Sequence, residues 1–200
     1  MEFDTPQTPD DALKRLLEGN QRFVAEETLH PRSGFDRVRE LAASQKPFAV
    51  LLCCADSRVV PEILFDQGLG DLFVVRIAGN YVEDGILGSI EYAVQYCDVR
   101  LIMVLGHERC GAVQATVSAV FEGKKFAGSI AHLIEAITPA VESTRKHPGD
   151  QVENAMRANI LHNIETICNS EPFLKPLISQ GALKVVGGRY DLDSGIVTLF

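Results

Sequence analysis

Two short motifs in the chain carry side chains that bind metals or transfer protons. The segment GHERCGAV contains His107 and Cys110, three residues apart, and the segment CCADSRV contains Cys54, Asp56 and Arg58. Each motif directly follows an apolar run, LIMVLG in one case and FAVLLC in the other. Ligand sites in open α/β sheets lie beyond the carboxyl ends of the strands. We therefore expect both motifs to meet in one site.

Cys54, His107 and Cys110 together form a ligand set that suits zinc. Zinc takes thiolate sulfur and imidazole nitrogen in tetrahedral geometry, and three protein ligands leave the fourth position open for water. In one arrangement, Asp56 binds the metal at that fourth position. In the other, Asp56 does not reach the metal and pairs with Arg58, whose guanidinium can hold a carboxylate through two hydrogen bonds. The first arrangement is a closed, structural site and the second is an open, catalytic one. The presence of Arg58 favours catalysis, because a structural site needs no cation to draw its ligand away.

The other cysteines, and the histidine taken alone, have simpler explanations. A cysteine beside a strand is usually a small buried hydrophobic residue, and we assign that role to Cys97 and Cys168. Cys53 alternates with Cys54 along its strand and so faces the opposite side of the sheet. Core packing therefore explains Cys53 better than a redox pair with its neighbour. His107 alone is also compatible with a hydrogen-bonded core histidine.

Short apolar or β-branched runs precede both motifs and recur along the chain. Because these runs do not alternate with polar residues, they indicate strands covered on both faces, and therefore a parallel sheet. Stretches with helical spacing lie between them, which is the pattern of an α/β protein. The predicted strands cover 48–53, 72–77, 101–106 and 183–190, and the predicted helices cover about 85–97, 111–122, 129–145 and 152–169.

The two ends of the chain add an arm and a hairpin. Thr8 followed by Pro9 and two acidic residues is a helix start, and leucines at helical spacing follow it. A short helix is expected near 36–43. The DSG segment at 193–195 lies between two strand-like pieces and predicts a closing β-hairpin.

These elements predict an α/β fold with a mostly parallel β-sheet flanked by helices, a C-terminal antiparallel hairpin strand and an N-terminal helical arm. The 200 residues suit one compact domain. The sequence contains no repeat, low-complexity tract or long linker. We therefore expect a single domain over 1–200, with the helical arm at 1–45 and a zinc-binding α/β core at 46–200.

Composition argues against several classes of function. Hydrophobic residues make up 46% of the chain and charged residues 23%, as in a soluble globular protein. The net charge is −8, whereas nucleic-acid-binding proteins typically carry an excess of positive charge. The apolar runs are far shorter than the roughly 20 residues that span a bilayer, and the start MEFDTPQTPDD lacks the features of a secretory signal. With five cysteines, an odd number, we expect a cytoplasmic protein with reduced thiols whose partner is a small molecule, not nucleic acid or a membrane.

Both motifs resemble the zinc-binding signatures of the β-class carbonic anhydrases. The similar segments are CADSR (54–58) and GHERCG (106–111), and PEILFDQGLGDLFVVRIAGN (61–80), SIEYAV (89–94) and VGGRYDLDSGIV (186–197) also resemble the family in order and spacing. The resemblance covers the chain from about Gln45 to Val197. Ala55 stands where serine is common in the family, a change that removes no group that the implied mechanism uses.

The resemblance implies a role for each of eight residues. Cys54, His107 and Cys110 would bind one zinc per chain, Asp56 and Arg58 would form the catalytic dyad, Gln45 would hold a substrate oxygen, and Phe73 and Tyr92 would line the pocket. Packing in the sheet and helix is the alternative for the two aromatic residues. A subset of the family that is blocked by bicarbonate has a tryptophan near the site, and this chain has none. The resemblance therefore implies the plant-like, accessible form, in which Asp56 pairs with Arg58.

The implied activity is that of a carbonate dehydratase, the zinc-dependent reversible hydration of carbon dioxide to bicarbonate and a proton. Two thiolates reduce the effective charge of zinc, so we expect more activity at mildly alkaline than at acidic pH. Two alternatives remain open: a hydrolase of carbonyl sulfide or carbon disulfide on the same fold, and a non-catalytic zinc-binding protein. The resemblance also implies a homo-oligomer, either a homodimer or a dimer of dimers, with the site at the subunit interface.

Overall fold

The computed structural model of the protein describes residues 6–200, and the first five residues of the predicted arm lie outside the described part. Within it, one five-stranded sheet has the order β2-β1-β3-β4-β5. The first four strands run parallel, and β5 pairs antiparallel with β4. The strands are β1 (Ala49–Cys53), β2 (Leu72–Arg76), β3 (Leu101–His107), β4 (Lys184–Tyr190) and β5 (Val197–Leu199). The predicted α/β fold, with its parallel sheet and closing antiparallel strand, is confirmed.

Helices in the described part of the chain connect and flank these strands. They are α1 (Pro9–Val24), α2 (Phe35–Glu40), α3 (Pro61–Leu64), α4 (Asp84–Tyr96), α5 (Gly111–Glu122), α6 (Ser129–Ser143), α7 (Gln151–Cys168) and α8 (Leu174–Ser179). The helices predicted from spacing are all present. The sequence did not predict α3 and α8, because helices of four and six residues are too short to display a period. None of the helices over 6–200 is both long and apolar enough to cross a membrane.

The sheet separates two apolar clusters, and β1 contributes to both because it is buried along its whole length. Val50 and Leu52 face the cluster packed by α4 to α7. Ala49 and Leu51 face the cluster that includes side chains of α1 and α3. This arrangement explains why the strands read as continuous apolar runs: both faces of each central strand are covered.

The cysteines are all free thiols, in keeping with the prediction of reduced cysteines. Cys53 is fully buried in the cluster beneath α1, and Cys54 belongs to the cluster on the opposite face. The predicted packing role of Cys53 is thus confirmed. Cys97 is buried in the same cluster as Cys54, whereas Cys168 is half-buried at the end of α7.

The N-terminal helix packs against the sheet of its own chain. Thr8 caps α1 by accepting a hydrogen bond from the backbone N–H three residues on, as the sequence predicted. Leu16 is completely buried. The amide of Asn20 donates to the carbonyl of Gly195 at 2.9 Å and accepts from the backbone N–H of Val197 at 2.8 Å. One buried side chain therefore fastens the C-terminal hairpin to α1.

A methyl group at Gly19 is expected to destabilise the protein, although alanine favours a helix interior over glycine by about 1 kcal/mol. A Cβ atom at Gly19 would lie 1.7 Å from the carbonyl oxygen of Phe65, so α1 would have to move away from α3. We expect Gly19→Ala to lower the free energy of unfolding by about 1–3 kcal/mol. Urea denaturation measures this difference.

Glu18→Ala is the control for that substitution. Glu18 precedes Gly19 on α1, is exposed, and pairs with Lys14 at 3.8 Å. Glu18→Ala should therefore change the free energy of unfolding by less than about 0.5 kcal/mol. No loss of stability in Gly19→Ala would contradict the close approach of α1 to α3.

Candidate metal centre

The residues of the two motifs emerge together at the carboxyl edge of the sheet. Cys54 directly follows β1, and His107 is the last residue of β3. The parallel pairing of these strands sets Cys53 opposite Leu105, so both ligand residues reach the same edge. Cys110 lies three residues after His107 and is the N-cap residue of α5. The two motifs are thus brought together by strand pairing.

The three side chains have the spacing of a metal site. The Sγ atoms of Cys54 and Cys110 are 3.9 Å apart, and the ligand atoms of Cys54, His107 and Cys110 all lie within 4.8 Å of one another. Two thiolates on a tetrahedral zinc with bonds of about 2.3 Å stand about 3.8 Å apart. His107 Nε2 is buried and has no hydrogen-bond partner among the described residues. A buried nitrogen left without a partner is costly unless it binds something, so the donor set fits a metal ion.

The imidazole of His107 is oriented by its other nitrogen. Nδ1 lies 2.8 Å from the carbonyl oxygen of Glu108. A carbonyl can only accept a hydrogen bond, so Nδ1 carries the proton and Nε2 presents its lone pair to the two thiols. This is the tautomer that a metal requires.

The two thiols are electrostatically unequal. The hydrogen bond from Cys110 lowers the pKa of Cys54, and the backbone N–H of Gly79, 3.3 Å from Cys54 Sγ, acts in the same direction. The same contact with Cys54, together with burial, raises the pKa of Cys110. The close contact between the two Sγ atoms therefore favours a pair that holds one shared proton. Metal binding would displace that proton.

Asp56 stands beside the cluster and is held by Arg58. Arg58 donates from Nε to Oδ1 at 2.9 Å and from Nη2 to Oδ2 at 2.8 Å, and its backbone N–H donates to Oδ1 at 2.9 Å. These bonds hold the pKa of Asp56 well below its usual range. Asp56 Oδ2 lies 3.9 Å from His107 Nε2. The carboxylate is therefore ionised, close to the metal-binding atoms and engaged by the guanidinium.

Arg76 supports this turn, and the sequence did not reveal it. It is the last residue of β2. It donates from Nε to the carbonyl of Cys54 at 3.2 Å and from Nη2 to the carbonyl of Asp56 at 2.7 Å. One guanidinium thus fixes the backbone on both sides of Ala55. The only sequence signal was an arginine within the apolar run at 72–77, which predicted a strand.

Gln45, Phe73 and Tyr92 do not join the metal-binding cluster within this chain. Gln45 is exposed before the amino end of β1 and lines a cleft with Asp98 and other residues that precede β3, at the opposite edge of the sheet. Phe73 is the second residue of β2 and lies about 10 Å along the strand from its carboxyl end. Phe73 and Tyr92 do meet each other, with ring centroids 6.3 Å apart. Their predicted roles remain predictions.

Replacing Arg76 by methionine should destabilise the turn that carries Cys54 and Asp56. The substitution keeps much of the apolar stem and removes both hydrogen bonds to the backbone carbonyls, so we expect a loss of about 1–3 kcal/mol in the free energy of unfolding. Chemical denaturation of the metal-free protein measures it. Arg39→Met is the control, because Arg39 forms an exposed ion pair with Asp36 on α2. An equal, small effect of both substitutions would contradict the bracing role of Arg76.

Comparison with known proteins agrees with this geometry. A family model described as carbonic anhydrase matches residues 49–197. Carbonic anhydrase 2 of Mycobacterium tuberculosis is 42% identical over 191 residues, which cover 96% of this chain and 92% of that protein. The carbonic anhydrase of Mycolicibacterium smegmatis is also 42% identical, over 96% of this chain and 93% of that protein.

The fold is similar to that of a solved member of the same class. The structure of the β-carbonic anhydrase CcaA superposes with a TM-score of 0.73 at 28% identity, over 94% of each chain. The family model, the relatives and the fold all agree with the two motifs. The chain therefore belongs to the β-carbonic anhydrase family, a family of carbonate dehydratases.

Proposed function

We propose that this protein catalyses the zinc-dependent, reversible hydration of carbon dioxide to bicarbonate and a proton. The observation that carries the proposal is the buried Cys54–His107–Cys110 cluster, with an unpartnered His107 Nε2 and an ionised carboxylate 3.9 Å from it. Family membership supports the reaction. We assign one zinc to each chain, held by these three residues.

Thiolate and imidazole ligands favour zinc over magnesium or calcium, which prefer oxygen. When bound, zinc would supply Lewis-acid activation of water near neutral pH. Cys54 and Cys110 would offset much of the cation's charge, so water should lose its proton at a higher pH than in a site built from three neutral histidines. We therefore expect turnover to rise from mildly acidic to mildly alkaline pH.

Asp56 would orient the attacking water. An ionised carboxylate can only accept hydrogen bonds, so Asp56 would accept one from the water and leave a lone pair directed at the carbon of the substrate. Arg58 has two functions in this proposal. It keeps Asp56 ionised, and it engages both carboxylate oxygens so that Asp56 does not take the fourth position on the metal. Together they form the dyad of an accessible site.

Gln45, Phe73 and Tyr92 would act on substrate bound to a second copy of the chain. Gln45 lies at the amino edge of the sheet and the zinc ligands at the carboxyl edge, so Gln45 cannot serve the site of its own chain without refolding. Tyr92 and Tyr96 lie in ring contact and are 51% and 74% exposed, an aromatic surface suited to burial between subunits. We propose a homodimer, or a pair of dimers, in which apolar Phe73 and the amide of Gln45 receive a linear, uncharged substrate.

The free thiols are also the basis of a proposed location. Five cysteines without a disulfide suit a reducing compartment. We propose that the protein acts in the cytoplasm.

Stopped-flow carbon dioxide hydration tests the proposed function directly. Zinc-loaded protein should show turnover that rises between about pH 6.5 and 9, the region in which zinc-activated water titrates. Asp56→Ala should keep one zinc per chain and lose turnover by about 100-fold or more, because the water is no longer oriented. Zinc content by atomic absorption separates loss of metal from loss of chemistry.

Asp36→Ala is the control variant, since Asp36 is exposed on α2 and pairs with Arg39. It should leave turnover and zinc content unchanged. Zinc-loaded protein without turnover at any of these pH values would overturn the proposal. Turnover of carbonyl sulfide alone would then identify a hydrolase, and loss of zinc in the Asp56→Ala variant would identify a metal-storage site.

A subunit-mixing experiment tests the proposed role of Gln45. Gln45→Ala and Cys110→Ser should each be nearly inactive alone. In a mixed dimer, the Cys110→Ser chain would supply Gln45 to the intact zinc site of the other chain, so one of the two sites regains activity. We expect refolded mixtures to exceed the summed activity of the separate variants.

Gln180→Ala serves as the matched control, because Gln180 is an exposed glutamine at the end of α8. It should be fully active with or without mixing. If mixtures of Gln45→Ala and Cys110→Ser gain nothing although mixed dimers form, Gln45 does not act across an interface.

A further inference from the structure

A single guanidinium beside the metal centre binds three carboxylates from three different parts of the fold. Arg189 Nε lies 2.9 Å from Glu153 Oε1 on α7, an ion pair that is not aligned as a hydrogen bond, and Nη1 donates to Asp191 Oδ2 in the hairpin at 3.2 Å. Nη2 pairs with Glu108 Oε1. The Arg189 side chain is only 16% exposed and that of Glu108 19%. Ion pairs sheltered in this way are screened less by solvent than those on an open surface.

The strand register explains why this guanidinium lies next to the metal ligands. In the parallel pairing of β3 with β4, Arg189 lies opposite Gly106 and Tyr190 lies opposite His107. Glu108, the next residue of the chain, then donates its backbone N–H to the carbonyl of Tyr190 at 3.1 Å. Strand β4 thus runs directly beside the His107–Glu108 peptide.

Glu108 connects this network to the imidazole. Its carbonyl accepts the hydrogen bond from His107 Nδ1 at 2.8 Å. Its carboxylate is held from both sides, by Arg189 at Oε1 and by the backbone N–H of Leu192 at 3.2 Å from Oε2. The residue that orients the imidazole is therefore itself fixed at its backbone N–H and at both carboxylate oxygens.

The other two carboxylates, those of Asp191 and Glu153, hold the guanidinium of Arg189 in place. Asp191 is anchored by accepting the backbone N–H groups of Asp193 and Ser194 at 3.0 and 2.8 Å. Glu153 Oε1 also accepts a hydrogen bond from Arg157 Nε at 2.7 Å. The acidic side chains around Arg189 are thus already partnered within the described chain, and the network acts as a clamp on Glu108.

We propose that Arg189 and Glu108 are positioning residues for the metal centre: Arg189 clamps Glu108, and the Glu108 carbonyl holds His107 with Nε2 directed at the metal. This inference rests on the proposed zinc site. Groups that orient a metal-binding histidine through its second nitrogen are typically worth about 10–100-fold in metal affinity or activity. The clamp also gives the C-terminal hairpin a function, because two of the fixing contacts come from its turn.

Zinc affinity, measured by competition with a chromophoric chelator, tests the clamp without recourse to activity. Arg189→Met removes the guanidinium, and Glu108→Gln keeps the size of the side chain while removing its charge. We expect Arg189→Met to bind zinc about 10–100-fold more weakly than the parent protein. Glu108→Gln should also bind zinc more weakly than the parent, but by a smaller factor than Arg189→Met. Cobalt-substituted protein should show a shifted visible absorption spectrum in both variants, because the imidazole is less constrained.

Arg15→Met is the matched control. The Arg15 side chain is comparably buried, at 13% exposure, and pairs with Asp71 at 3.2 Å at the amino end of the sheet. This variant should lose thermal stability but keep the zinc affinity and the cobalt spectrum of the parent. If Arg189→Met does not fold, Glu108→Gln alone decides.

The outcomes separate this inference from the proposed function. Parent affinity and an unchanged cobalt spectrum in both variants would overturn the clamp, even if the parent hydrates carbon dioxide. Weakened zinc binding in the variants would support the clamp, even if the zinc-loaded parent has no turnover. A parent protein that takes up no zinc would overturn both proposals.

Discussion

The parallel pairing of β1 with β3 is the constraint on which the site depends. Its register sets Cys53 opposite Leu105, so Cys54 and His107 emerge at one edge of the sheet, and Cys110 follows as the first turn of α5 begins. A slip of one residue would turn Cys54 to the other face of the sheet, where Cys53 is now packed beneath α1. The relative positions of Cys54 and His107 are therefore maintained as long as the register of β1 and β3 is maintained.

Charge compensation around the cluster is the second constraint. Two thiols and the carboxylate of Asp56 lie close together, and their negative charge favours a bound cation. Without a competing partner, Asp56 would be drawn onto that cation as a further ligand. Arg58 opposes this by engaging both oxygens of Asp56, while Arg76 binds backbone carbonyls and leaves the carboxylate free of a second cation. The two arginines thus have different tasks: one sets the direction of the carboxylate, and the other sets the path of the turn.

The sequence predicted the parts of the site whose chemistry is local. Cys54, His107 and Cys110 were identifiable because their types are metal ligands and their positions follow buried strands. Arg76 and Arg189 were not, because an arginine at a strand end is usually solvated, and its task depends on which carbonyl or carboxylate the tertiary fold brings to it. The reason for a glycine at position 19 could not be predicted either. A glycine within a helix is unfavourable, and only the structure shows that the carbonyl of Phe65 leaves no room for a side chain there. The short helices α3 and α8 were missed because they contain too few residues to show a period.

The separation of Gln45 from the Cys54–His107–Cys110 cluster has a geometric consequence. Within a single parallel sheet, residues before the amino ends of the strands and residues after their carboxyl ends never meet, because the strands stand between them. In the proposed dimer, a two-fold axis beside β2 and α4 would bring the amino edge of one sheet to the carboxyl edge of the other, and it would do so twice, once for each site. The same axis would cover the exposed rings of Tyr92 and Tyr96. In the proposed dimer, the arrangement that would complete the substrate pocket would also bury the aromatic surface, so catalysis and assembly would depend on the same contact.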